Sequence, residues 1–426
     1  MACLQVLGIS GFSPVLKTQL CKAVCPEGNW TWTVNELSKG TERYAYEQFF
    51  LSLLPTIISI LNTTEFDEEI YVAYIPYIYK GYPWTQEETF LKCNKIMDTS
   101  KDQTVALSIP DLVSRLVLQS KDSFRQAKKL PSKHNKYTLN YSEEDEPLWK
   151  TSPYVIAHIE HAVTVLPWPS IKELWSTIVP STLNLIDDYD PMIKAKGCQI
   201  SQTFFESLAS TVDGQKHLKS TRVGSLFVDA IKPCFAYLPP GTDAQISIKV
   251  VGGALNSLIS LSDKLENSEK LALLDTILRD GVFQGLMHSG QYIDLTITLL
   301  VCCDRVINRL ESRTVKHLKP LITAFVNIMC DPFIGVCEPL IRQACSTCLE
   351  IIKFCWFRIA NYKYDILRGV CTAWKRVCEE KNVEAETFES LRRITVVLKD
   401  IFKETIQPDY DRLLENDACL NGLFAG

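Results

Sequence analysis

Apolar residues recur at helical spacing through the middle of the chain. One set follows an i, i+3, i+4, i+7, i+8 pattern: Ile171, Leu174, Trp175, Ile178 and Val179. A second set follows a short polar turn: Ile193, Gly197, Ile200, Phe204 and Leu208. Each pattern is typical of one buried helix face, so the two together predict a helical hairpin.

The same arrangement returns further along the chain. Helical stripes cover 318–329 and 341–355, and Asp331-Pro332 between them stands 141 residues after Asp190-Pro191, three times 47. Two further hairpins fit in between, over 226–258 and 271–310, and more helical stripes follow at 367–378 and 391–401. Hairpins repeating at roughly 40–47 residues are typical of HEAT and armadillo arrays. The predicted fold is therefore all-α, an α-solenoid of HEAT/armadillo-like helical hairpins.

The pattern is less regular before this array. Residues 1–120 predict a helical region with irregular joins. Residues 121–152 are polar, first basic and then acidic, with few aliphatic side chains, which predicts a linker or long loop. Residues 153–426 form the predicted solenoid. The aromatic-rich run at 70–84 favours core packing, with a partner-binding patch as the alternative.

Composition narrows the functional classes. The chain has 426 residues, 46% hydrophobic and 22% charged, with a formal net charge of −5, which is ordinary for a globular protein. The sequence contains no basic stripe of the kind that would predict nucleic-acid binding. Neither a signal peptide nor an apolar run of about 18 residues is found in the sequence, so we expect no membrane span. The 16 cysteines are irregularly spaced and predict reduced, mostly buried thiols in an intracellular protein.

An acidic run, Asp187-Asp188-Tyr189-Asp190, is the first candidate for site chemistry. Carboxylates this close could ligate Mg²⁺ or Ca²⁺, but the calcium-loop pattern with its fixed glycine is absent. Asp190 and Pro191 suit the cap and the first position of a helix. A turn between two helices is the favoured interpretation, with a metal site as the alternative.

Other motifs give little support to an enzyme. Cys345 and Cys348 form a C-x-x-C on an apolar helix face, and His158 and His161 lack the spacing of a zinc protease motif. No phosphate-binding glycine loop or nucleophile elbow is found in the sequence. We therefore expect a non-enzymatic protein without cofactor or metal. An unrecognised metal- or thiol-dependent enzyme stays as an alternative.

A short segment carries a family resemblance. A proline in the first helix, an acidic turn, a basic residue and a small residue in the second helix resemble a HEAT unit: Pro180, Asp187, Asp188, Asp190, Lys194 and Gly197. The sequence of the turn resembles the Tel-two-interacting protein two family. The residues that carry the resemblance are Leu185-Ile186-Asp187-Asp188-Tyr189, with Leu148-Trp149-Lys150 upstream. The resemblance covers roughly residues 148–260.

The resemblance implies a scaffold role. Members of this family are subunits of the TTT (Tel-Tti-Tti) cochaperone complex, so the expected partners are the other two subunits. Through heat-shock protein 90 and its cochaperones, the complex matures phosphatidylinositol-kinase-related protein kinases (PIKKs). It thereby serves telomere maintenance, the DNA-damage response and growth signalling in cytoplasm and nucleus. The alternative is another HEAT/armadillo scaffold, such as a transport receptor or a phosphatase regulatory subunit.

Candidate partner-binding residues come from the last hairpins. Four aromatic side chains there are expected at the surface: Trp356, Phe357, Tyr362 and Tyr364. Trp374 shares a stripe with Leu367 and Cys371, which predicts that it is buried instead. Large aromatic side chains are frequent anchors of protein interfaces, so the four residues are the predicted contact site.

Overall fold

The computed structural model describes residues 13–34, 36–99, 109–124, 148–208 and 212–424. Over these ranges the chain consists of helices and the turns between them, without a strand. The predicted all-α solenoid class is confirmed. Contacts divide the chain into two compact units, Met1–Val223 and Gly224–Gly426.

The first unit contains helices of very different lengths. They are α1 (Pro14–Ala23), α2 (Glu42–Leu61), α3 (Glu68–Tyr74), α4 (Glu87–Thr99), α5 (Ile109–Ser120), α6 (Tyr154–Val165), α7 (Trp168–Glu173), α8 (Trp175–Ile186), α9 (Pro191–Ser207) and α10 (Val212–Thr221). Short 3₁₀ turns cover Ile75–Tyr77 and Leu148–Lys150. Helix α6 packs against α5 and α9, and α8 packs against α9.

The second unit is more regular. Its helices are α11 (Val223–Ile231), α12 (Ala244–Ser262), α13 (Asn267–Thr276), α14 (Ile293–Leu310), α15 (Leu318–Met329), α16 (Glu338–Cys355), α17 (Lys363–Glu379), α18 (Ala385–Phe402) and α19 (Gln407–Asn416). A π-helical segment, Ile277–Phe283, and a helical turn, Gln284–His288, follow α13. A 3₁₀ segment, Glu311–His317, follows α14.

Successive hairpins of the second unit stack on one another. The second helix of each hairpin packs on that of the next: α12 on α14, α14 on α16 and α16 on α18. The first helices of two successive hairpins, α15 and α17, also pack on each other. Their apolar stripes are buried in these contacts, from Leu255 in α12 to Leu398 in α18. One hairpin cannot bury both of its faces, so the core depends on its stacked neighbours, as in a solenoid.

The predicted hairpins match these helices with local differences. The predicted ranges 226–258 and 271–310 correspond to α11–α12 and α13–α14. The single helix predicted through Ile171 and Val179 is broken at Leu174 into α7 and α8. Pro180 lies inside α8 whereas Pro320 lies in the first turn of α15, so the two prolines are not equivalent as the periodicity suggested.

The predicted linker at 121–152 is described only at its two ends, because residues 125–147 lie outside the described ranges. The backbone N–H of Trp149 donates to the carbonyl of Ser123 over 3.0 Å, and the Trp149 ring stacks on Phe124. Both flanks belong to the first unit. The boundaries 1–120, 121–152 and 153–426 stay predictions.

Two helices of the described chain, α2 and α12, are long and apolar enough to cross a membrane by length and composition alone. The apolar window of α12 is 61% buried within the protein, as in the core helix of a globular unit. That of α2 is 28% buried, and its outward side chains include Tyr46, Phe49 and Leu53. A core helix passes the same test, so the finding is weak support for a membrane span.

Candidate functional site

The acidic run forms the turn between α8 and α9, as predicted. Asp187 is the C-cap residue of α8, and Asp190 is the N-cap residue of α9. One carboxylate oxygen of Asp190 accepts from the backbone N–H of Met192 over 2.8 Å and from the hydroxyl of Thr33 over 2.9 Å. Asp190 thus satisfies a helix-end N–H and also ties the turn to the N-terminal region.

Asp188 connects the turn to the upstream Leu148-Trp149-Lys150 segment. The Lys150 Nζ lies 2.9 Å from a carboxylate oxygen of Asp188, and the two side chains are only 8% and 6% exposed. The same ammonium stands 4.0 Å from the centre of the Tyr189 ring, a cation–π contact. The two sequence segments that carry the family resemblance therefore meet in one buried ion pair.

Lys194 and Gly197 hold the two helices of the hairpin together. The Lys194 Nζ donates to the carbonyl of Ile186, at the end of α8, over 2.8 Å. A Cβ at Gly197 would stand 2.8 Å from the backbone nitrogen of Ile186, closer than a side chain tolerates. Leu185 and Ile186 are fully buried at this crossing. The small residue is therefore required by a close helix approach.

Two residues of the turn face solvent: Tyr189, which is 76% exposed, and Asp187. The backbone N–H of Asp190 donates to Asp188, so that carboxylate is used twice within the turn. Asp188 and Asp190 are occupied with protein partners, and the described residues contain no cluster of three or more metal-binding side chains. The contacts of the turn therefore indicate a structural role.

A second buried polar centre was not predicted from the sequence. Glu160 of α6 and Lys196 of α9 form an ion pair of 2.8 Å with side chains 4% and 2% exposed. Lys196 also donates to the carbonyl of Lys80, and the hydroxyl of Tyr82 donates to Glu160 over 2.6 Å. Burial lowers the pKa of Lys196, and the neighbouring Glu160 carboxylate opposes that shift. The pair attaches the aromatic run at 70–84 to α6 and α9.

His161 is the other polar contact of this centre. Its two ring nitrogens lie 2.6 Å from the hydroxyl of Tyr71 and 2.7 Å from that of Tyr79. Burial lowers the pKa of His161 to about 3 and that of His158 to about 4, so both are neutral at physiological pH. A neutral imidazole donates with one nitrogen and accepts with the other, which suits two tyrosine hydroxyls.

The aromatic run is therefore core, the favoured of its two interpretations. Most of its rings are buried: Tyr71, Tyr74, Tyr77, Tyr82 and Trp84. The histidine pair of the sequence analysis belongs to the same core rather than to a metal site. The signal that could have revealed this centre was the charged Glu160 between apolar residues of α6, because an isolated charge rarely enters a core without a partner.

The candidate partner-binding aromatics of the second unit lie mostly at the surface. Trp356 is 60%, Phe357 48% and Tyr364 65% exposed, whereas Tyr362 is half-buried. Trp356 and Phe357 contact each other edge to face, with ring centres 6.1 Å apart. The structure thus brings two of the four residues together in a solvent-facing pair. Trp374 is buried, as predicted.

The thiols of the described chain are free, and most are buried. Burial raises the pKa of Cys345 to about 12 and that of Cys348 well above its usual value. A protonated thiol is a poor nucleophile, so the C-x-x-C motif is packing rather than redox chemistry.

The fold and the site together define a class, the helical-repeat scaffold proteins. A model of the Tti2 family matches residues 70–336, which include the aromatic run, the buried polar centre and the signature turn. The chain belongs to the Tti2 family. The resemblance found in the sequence is therefore confirmed, and the family is one of TTT-complex subunits and cochaperone scaffolds. The match does not favour a transport receptor or a phosphatase subunit.

Proposed function

We propose that this chain is a non-enzymatic adaptor that joins the two other TTT subunits and supports the heat-shock protein 90-dependent maturation of PIKKs. The observation that carries the proposal is the family match over residues 70–336. Burial of His158, His161, Cys345 and Cys348 gives these two motifs little support as catalytic sites. The expected locations are the cytoplasm and the nucleus, where those kinases act.

The proposal assigns the partner contact to the exposed aromatics of the second unit. Trp356, Phe357 and Tyr364 combine large apolar area with few rotatable bonds, which suits interface anchors. Arg358 and Arg368 are exposed nearby in sequence and make no ion pair with other described residues. Aromatic and arginine side chains together are enriched at interface hot spots.

The first test is affinity purification of the tagged chain at its native level, followed by mass spectrometry. We expect two large helical-repeat partners in near-equal amounts, together with PIKKs. Recovery of nuclear-pore proteins or of a phosphatase catalytic subunit instead would overturn the proposal. Recovery of no stable partner would overturn it as well.

The aromatic contact has its own test. The Trp356→Ala, Phe357→Ala double variant should lose most of the recovered partner, because truncated hot-spot residues typically cost 2 kcal/mol or more of binding, roughly thirtyfold in affinity. Leu226→Ala is the matched control, since Leu226 is 53% exposed on α11 of the same unit. Equal recovery with both variants, at unchanged melting temperature, would remove the aromatics from the contact.

A further inference from the structure

A large groove opens along α15 in the second unit. Its volume is about 980 Å³, and it lies between the segment 283–293 on one side and α15 with the following turn on the other. Its central lining residues belong to one face of α15: Pro320, Thr323, Ala324, Asn327 and Ile328. None of these side chains is aromatic or long and charged, so a second helix could pack along this face of α15.

The groove exists because one layer of the solenoid is interrupted. The second helices, α12, α14, α16 and α18, pack in an unbroken series, and α15 packs on α17. On its other side α15 is separated from Leu286 and Met287 by the groove. The chain on both sides of the groove is irregular. A π-helical segment, Ile277–Phe283, precedes Leu286, and Glu311, with a left-handed φ of 50°, precedes α15. The groove therefore lies where a regular array would stack one first helix on the next.

Apolar side chains at the rim of this groove are left in solvent. Met287 and Phe333 are each 76% exposed, and Ile293 is 41% exposed. Leu286, Ile334 and Leu340 continue the apolar lining below them. A contiguous apolar surface of this kind on a folded protein marks an interaction site.

The charges of the groove define its occupant. Of the residues that line it, only Lys319 and Asp331 carry a charge, and they lie at opposite ends of α15. Lys319 makes no ion pair with the described residues, and the exposed Asp331 carboxylate accepts only from the backbone N–H of Phe333. A bound helix has a positive N-terminus and a negative C-terminus, so its ends match these charges in a single direction.

We propose that the groove binds an amphipathic α-helix of a partner TTT subunit, antiparallel to α15. Helix α15 has 12 residues and spans about 18 Å, so the bound segment is about three turns long. Its apolar face, with anchors at i, i+3 or i+4 and i+7, covers Met287 and Phe333. Its N-terminal end lies at Asp331 and its C-terminal end, with acidic residues, lies at Lys319. The identity of the partner rests on the proposed function, whereas the helical nature of the occupant does not.

The test is site-specific photo-crosslinking in the assembled complex. A benzoylphenylalanine is placed at Met287 or at Phe333 of the full chain, and the cross-linked peptides are identified by mass spectrometry. We expect both positions to capture one helical segment of another TTT subunit. Leu226, which does not line the groove, is the control position and should not capture that segment. A benzoylphenylalanine at Lys319 should capture the C-terminal end of the same segment, which tests the direction.

Substitutions give a second readout. Phe333→Glu should weaken binding of the captured segment, made as a synthetic peptide, by tenfold or more, because a carboxylate would enter the apolar rim. Lys319→Glu should weaken it by roughly threefold, and the loss should shrink at high salt. Unchanged binding with both variants, at wild-type melting temperatures, would overturn the proposal.

The outcomes separate the two proposals. If the wild-type chain recovers TTT subunits but the groove positions capture no helix, the inference fails and the proposed function stands. Capture of a second copy of this chain, or of a non-helical segment, also overturns the inference. If the wild-type chain recovers no TTT subunit while both groove positions capture a defined helix of another protein, the proposed function fails and the helix-binding groove stands.

Discussion

Two ion pairs of the first unit lie in its interior, beside exposed pairs such as Lys80–Glu87. In the second unit the ion pairs between successive hairpins are partly exposed. Lys150–Asp188 and Glu160–Lys196 are both nearly inaccessible to solvent. The second-unit pairs are partly exposed: Asp263–Arg309, Asp275–Lys316, Arg342–Glu384 and Lys363–Asp409. A buried charge is costly without its partner, so interior pairs fix one arrangement of segments, whereas edge pairs add small increments.

The spacing of the edge pairs reflects the repeat. Asp263 and Arg309 are 46 residues apart, Arg342 and Glu384 are 42 apart, and Lys363 and Asp409 are 46 apart. These values fall within the period of roughly 40–47 residues of HEAT and armadillo arrays. The interior pairs span 38 residues (Lys150 to Asp188) and 36 residues (Glu160 to Lys196), slightly less than this period. The comparison teaches that both units bury an apolar core, and that the first unit adds two interior ion pairs to it.

The largest expected effect is the loss of one interior partner. Lys196→Met leaves the Glu160 carboxylate buried without its counter-charge and should destabilise the first unit by about 3–5 kcal/mol. The measurement is amide hydrogen exchange in α6 and α9. Exchange in α14 and α16 should be unchanged.

The double variant Glu160→Gln, Lys196→Met is the control for this effect. Both charges are removed together, so most of the lost stability should return. If the single variant cost less than about 1 kcal/mol, the interior pair would not distinguish the two units in the way described.

The Asp304 carboxyl of the second unit is an exception to this comparison, because burial destabilises its charged form. Burial raises the pKa of Asp304 from 3.8 to about 6, against hydrogen bonds from Thr347 and Gln343, and the facing Glu350 adds to the rise. Because the folded state holds this proton more tightly, the contribution is fully favourable below about pH 4 and is lost as the pH rises through about 6. Asp304→Asn should therefore stabilise the unit at pH 7.5 by about 1–3 kcal/mol.

The measurement is the melting temperature of Asp304→Asn and wild type from pH 4 to pH 8. The difference should grow with pH up to about 7 and then level off. Asp294→Asn is the control, because Asp294 is exposed in the first turn of α14. A constant difference across this range would show that Asp304 does not titrate in it.

Helix caps compare the two units directly. Asp190 caps α9 and Asp243 caps α12, each accepting from the backbone N–H two residues later. Asp190 alone also accepts from Thr33, which lies 157 residues away. Replacement of either by alanine should cost about 0.5–2 kcal/mol, with Asp190→Ala at the upper end. Hydrogen exchange of the two helices provides the measurement, and an equal loss would mean that the Thr33 contact adds nothing.

Much of the second unit was predictable from the sequence, and the reason is local. Its hairpins follow a period of apolar residues, and stacked neighbours bury those residues in order of the chain. The cap at Asp190 was predictable too, because capping involves adjacent residues. The break at Leu174 was not, because apolar residues continue at helical spacing across it.

The interior of the first unit could not be predicted in the same way. Glu160 and Lys196 are 36 residues apart, and Tyr82 is 78 residues from Glu160. Periodicity describes which residues of one helix share a face, but it does not pair charges on distant segments. The groove along α15 was missed for a related reason. A gap between two first helices depends on the irregular π and 3₁₀ segments, whose sequences do not differ clearly from ordinary helix.

The smallest expected effect sharpens the comparison most directly. A double-mutant cycle of Arg309→Ala and Asp263→Ala should give a coupling free energy of about 0.2–1 kcal/mol, even though the guanidinium contacts both carboxylate oxygens. Lys270 also reaches Asp263, so the carboxylate keeps a neighbour when Arg309 is removed. The coupling should fall further in 1 M salt, because these side chains are partly exposed. The same cycle on Glu160 and Lys196 should give a larger coupling that salt hardly changes. Equal couplings at both sites would mean that burial does not determine the strength of an ion pair in this protein.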